Sequence, residues 1–145
     1  MKEWLAFIGL FSTFGVANGT EYAEGQVWSY KNRPDEEHST VLINKIESHE
    51  QLGNIYHIGV YGVKVRNLHI KGGISTKLPH LPVSEDCLRK SLAKLADNDA
   101  PSSDYVEGYK TWKQAFDVGK AGIFTITIAE IVDVIEQTVN KKYFF

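Results

Sequence analysis

Residues 104–140 hold two helical stripes of apolar side chains with a glycine-flanked β-type run between them. Such a unit cannot stand alone, because each stripe has to be buried against another element. Tyr105, Tyr109, Trp112 and Phe116 recur at helical spacing on one narrow face, and this stripe is expected in the core rather than as a ligand platform. Asp104 is placed to cap that helix with Glu107 as its capping-box partner, and Gly119 is placed to end it in a left-handed conformation. A second helix opens on Thr127-Ile128-Ala129-Glu130, again a capping box, and carries Ile128, Ile131, Val132, Ile135 and Val139 along one side. Between the helices, Ile123-Phe124-Thr125-Ile126 follows Gly122 and reads as a buried strand or extended link. The two stripes are expected to share one surface.

That surface is sought upstream, where residues 22–81 show short β-type runs separated by turn residues, the pattern of an antiparallel meander. Four or five strands are expected, among them 26–30, 40–46, 55–65 and 74–81, with Gly59 and Gly62 marking bulges or a bend. The fold class is therefore α+β: a curled antiparallel meander, in the limit an SH3-like partial barrel, covered by about three C-terminal helices. The first of these is expected to begin after Ser84 as N-cap, with Glu85 and Asp86 in its first turn, and to run to about Ala96 with Leu88, Leu92 and Leu95 inward.

Upstream of the meander, residues 4–17 are apolar, with Lys2 before them and Ala17-Asn18-Gly19 after them. This pattern predicts a secretory signal peptide over 1–19, cleaved before Thr20, and a single domain over 20–145 in the periplasm or outside the cell. The alternative is a cytoplasmic chain. The run is shorter than the roughly 20 residues a bilayer-spanning helix needs, so no membrane span is expected in the mature chain. Of 145 residues, 43% are hydrophobic and 23% charged, which suits one domain and no more. A net charge of −2 provides no broad basic field, which disfavours nucleic acid as a partner.

The sequence offers little chemistry. Cys87 is the lone cysteine, so no internal disulfide forms, and a thiol enzyme using Cys87 with His80 as base is the alternative to a semi-buried structural thiol. The five histidines lack metal-binding spacing, and only a site assembled in space from His57, His69 and His80 would bind a metal. No phosphate-binding loop, dinucleotide fingerprint or nucleophile elbow is present, and no cofactor is expected. The densest polar feature is Arg33-Pro34-Asp35-Glu36-Glu37-His38, between the first two expected strands. Arg33, Asp35, Glu36 and Glu37 are expected to be solvated, to matter little to stability and to serve as a recognition loop for a protein partner.

Gly25-Gln26-Val27-Trp28-Ser29-Tyr30 with Arg33-Pro34, Glu107-Gly108-Tyr109, Trp112 and the stretch 116–125 resemble a family of small uncharacterised bacterial α+β proteins. The resemblance spans most of the chain and implies that residues from about Tyr22 form the whole domain. It brings no activity and no catalytic residue. The function expected on these grounds is a non-catalytic binding or protein-interaction module, of inhibitor or immunity type, with the small hydrolase or thiol enzyme as the alternative.

Overall fold

A computed structural model describes residues 22–98 and 102–141. The leader expected over 1–19 lies outside these residues.

Five strands form one open antiparallel sheet: β1 (Val27–Tyr30), β2 (Thr40–His49), β3 (Gly53–Arg66), β4 (Ile74–Ser84) and β5 (Leu92–Asp97), in the order β4-β3-β2-β1-β5. The meander β1 to β4 is as expected, and the sheet does not close into a barrel. Register shifts interrupt the β3–β4 pairing beside both Gly59 and Gly62, the sites read as bulges or a bend. At Gly62 the backbone is left-handed, with φ 83°, and a Cβ there would lie 3.2 Å from the Ser39 backbone. Only glycine satisfies both demands.

The fifth strand corrects the expected helix over 84–96. Ser84 does cap α1 (Glu85–Ser91), its Oγ accepting from the Cys87 N–H, but at Leu92 the backbone turns extended, with ψ 142°. Leu92 and Leu95 then pair with Tyr30 and Trp28 across the edge of β1. Helix-favouring residues here become a strand because β1 would otherwise present an unpaired edge.

A 3-10 turn (Ser103–Tyr105) leads into α2 (Val106–Asp117), and α3 (Ile128–Val139) closes the fold. The capping box at Thr127 and Glu130 is formed, and Gly119 ends α2 with φ 76° and an N–H to the Phe116 carbonyl. Asp104 does not cap α2. Ser102 caps the 3-10 turn instead, and Asp104 pairs with Lys77.

Both faces of the sheet are covered, which overturns the expectation of one shared surface. Side chains alternate along β3, so Tyr56 and Ile58 face one way and His57 the other. Tyr56 and Ile58 belong to the main core with Leu88 of α1 and Ile128, Ile131 and Val132 of α3. His57 meets Tyr109 and Trp112 of α2 on the opposite face. The 118–127 segment passes the β4 edge between the two layers, where Phe124 forms a parallel bridge to Val83. Its extended-link reading holds.

The two layers are held unequally. Three aliphatic side chains of α3 are fully buried, each contributing roughly 1.5–3 kcal/mol, whereas on α2 only Trp112 is buried. Tyr105, Tyr109 and Phe116 remain half exposed, so the aromatic stripe is a cover on histidines rather than the centre of the core.

Candidate functional site

β3 outruns β2: their pairing ends at Thr40 and Tyr61, and among the described residues no strand pairs with the β3 backbone beyond Tyr61 on that side. Its peptide groups still need partners. Side chains supply them. The Lys64 N–H donates to Glu36 Oε2 at 2.7 Å, and the Lys64 carbonyl accepts from Arg33 Nη2 at 3.2 Å. The Arg66 N–H donates to Glu136 Oε2 at 2.7 Å, while Asn140 Nδ2 donates to the Arg66 carbonyl and Asn140 Oδ1 accepts from the Leu68 N–H. The β1–β2 loop and α3 thus stand in for a missing strand.

Arg33 joins these pieces. Its guanidinium grips Glu36 through Nε and Nη2 at 3.0 and 2.7 Å, and Nη1 reaches Asp133 at 3.1 Å and Glu136 at 3.0 Å. The Glu36 contact, more than the others, raises the pKa of Arg33 further. Glu136 is held below the usual carboxylate range, first by the Arg66 N–H and then by Arg33. Glu36 is 3% exposed. The expectation that all four loop charges are solvated therefore fails for Arg33 and Glu36, which turn inward, and holds for Asp35 and Glu37, which stay exposed. Sequence reasoning missed Asp133, Glu136 and Asn140, because they lie about a hundred residues away in the chain.

Beside this network lies an open cleft of about 390 Å³, lined by Arg33, Pro34, Asp35, Glu36, Lys64 and Asp133. Asp35 stands at its lip with φ 69°, a left-handed conformation that aspartate tolerates better than most residues. The Glu37 carboxylate accepts the Asp35 N–H and fixes the turn.

On the other face of the sheet, Glu47, His57 and His80 form a chain. His57 Nε2 lies 2.6 Å from Glu47 Oε1, and His57 Nδ1 lies 2.9 Å from His80 Nε2. Burial is the largest influence on both rings and pushes both pKa values down, that of His80 to about 4, so both are neutral near pH 7. A carboxylate only accepts, so His57 carries its proton on Nε2 and accepts from His80 Nε2–H through Nδ1. His69, by contrast, is exposed in the β3–β4 turn, and the three-histidine arrangement does not form. Among the described residues, no group of three or more metal-ligating side chains is suited to a metal ion.

Cys87 and His80 are not joined. Cys87 is fully buried in the main core, and burial pushes its thiol up to about 12, with Ser91 as its polar neighbour. A thiol so protonated is a poor nucleophile. His80 spends its Nε2 on His57 instead. The thiol-enzyme arrangement on Cys87 and His80 is accordingly absent. No described helix is long and apolar enough to cross a membrane.

Compared with known protein families, curated proteins and solved structures, the chain matches none.

Proposed function

We propose that the protein is a non-catalytic binding module, exported by a bacterium, that recognises a protein partner through the cleft beside the β1–β2 loop. The observation that carries this reading is the cleft itself, with exposed Asp35 and Asp133 around a floor locked by Arg33 and Glu36. Glu37 adds a third exposed carboxylate beside it, against one exposed lysine, Lys64. A rim of this sign suits a lysine or arginine side chain of the partner, and a rigid support lowers the ordering cost of binding. An inhibitor or immunity-type role fits such a rigid, charge-complementary contact.

Charge removal that preserves hydrogen bonding tests the proposal. Asp35→Asn, Glu37→Gln and Asp133→Asn together should leave thermal unfolding close to the parent and abolish capture of the native partner. Retention of that partner at parental yield would place recognition elsewhere. For export, the intact mass of protein isolated from its own host should correspond to a chain beginning at Thr20.

A further inference from the structure

Helix α2 rests on imidazoles where α3 rests on isoleucine and valine. Tyr109 and Trp112 meet the His57 ring edge-on at 4.8 and 4.9 Å, and the His80 ring at 6.0 and 6.1 Å. Elsewhere, α2 is tied by the Trp112 Nε1–H donated to the Gly122 carbonyl, an edge contact between Phe116 and His49, and a 4.0 Å approach of Lys113 to Glu47. No α2 residue belongs to the main core.

From this geometry we infer that the Glu47–His57–His80 chain is an acid-sensitive latch that holds α2 on the sheet and releases it, with its aromatic stripe, when the histidines take up protons. The inference is independent of the cleft and its partner.

The hydrogen-bond order explains the release. With both rings neutral, His80 Nδ1 is the free lone pair and accepts no hydrogen bond from the described residues. The first proton enters there, and its charge passes through the His80–His57 hydrogen bond to His57, where Glu47 favours it and burial opposes it. A second proton, which the charged His57 opposes, leaves hydrogen on all four ring nitrogens, so the rings meet N–H to N–H and the 2.9 Å bond breaks. Lifting α2 hydrates both rings and removes each cost.

Every charged group around the pair bears on this. Lys45 of β2 and Lys113 of α2 oppose protonation of His57, and Glu47 favours it. Glu47 also favours protonation of His80, which a charged His57 opposes. Tyr109 faces Glu47 from α2, and Tyr105 of the 3-10 turn lies behind Tyr109. Burial is the largest single influence on both rings. Because folding lowers the histidine pKa values, the unfolded or opened form binds more protons, and α2 loses stability as pH falls from about 6.5 toward about 4.

Hydrogen exchange of the full chain between pH 7 and 4, corrected for the intrinsic rate, tests the latch. Peptides covering 106–117 should lose protection by up to about tenfold per pH unit for each proton taken up. Those covering 128–139 and 55–65 should hold, and Cys87 should stay unreactive toward an acid-active dipyridyl disulfide. His80→Gln, which retains a donor for His57 Nδ1, should flatten the dependence for α2, as should His57→Gln if it folds. Unchanged α2 protection overturns the inference. So does loss of protection in every segment together with Cys87 exposure, which is global acid unfolding, or a parental pH dependence in His80→Gln.

Discussion

Gly108 of α2 lies so close to His80 of β4 that a Cβ added to the glycine would sit 2.9 Å from the His80 Cβ. A glycine inside a helix is otherwise unfavourable by about 1 kcal/mol against alanine, so helix propensity alone predicts that Gly108→Ala stabilises. Packing opposes it. Overfilling a tight contact costs about 1–3 kcal/mol, and here the neighbour is the root of a side chain anchored in the sheet. Gly108→Ala should therefore lower the urea midpoint, whereas alanine at the solvated Gly122 site, where a Cβ meets nothing within 4 Å, should not clash.

The Arg33 network should split the loop into two classes of substitution. Arg33→Ala leaves Glu36 buried without its counter-charge, and breaking a buried pair from one side costs about 3–5 kcal/mol. Asp35→Asn and Glu37→Gln act on exposed groups and should stay within about 0.5 kcal/mol of the parent. Chemical denaturation of the three variants measures the contrast. A small cost for Arg33→Ala would mean that water readily replaces the guanidinium along β3.

Trp112→Ala should cost about 3–5 kcal/mol, in the range of large aromatic truncations, since it uncovers His57 and frees the Gly122 carbonyl. Trp112→Phe keeps most of the ring and loses the indole hydrogen bond, for about 1 kcal/mol. Denaturant midpoints of the pair separate packing from hydrogen bonding.

Cys87 should resist alkylation at pH 8 in native buffer and react at the rate of a free thiol once unfolded, because burial both shields it and raises its pKa to about 12. Time-resolved mass spectrometry reads the rate. Rapid native labelling would mean that α1 opens locally, and would restore a case for thiol chemistry.

Local chemistry in the sequence determined the pieces whose determinants are neighbours in the chain. Ser84 caps α1, Thr127 and Glu130 close their capping box, Gly119 turns left-handed after α2, and the alternation through β2 and β3 identifies a meander. Each depends on contacts only a few residues apart. Tertiary structure alone decided whatever depended on a distant partner. Residues 92–97 favour helix by composition, yet β1 needs an edge partner and Trp28 and Tyr30 draw Leu95 and Leu92 into a strand. Asp104 has the side chain of a cap but pairs with Lys77 across the chain. Arg33 and Glu36 read as solvated because nothing near them in sequence discloses that β3 outruns β2 and that Glu136 and Asn140 arrive from α3 to complete its backbone. His57 and His80 lie 23 residues apart, and only the pairing of β3 with β4, and of β3 with β2, sets one against the other and both in line with Glu47. Spacing along the chain carries no trace of a contact whose energy appears only when strands meet.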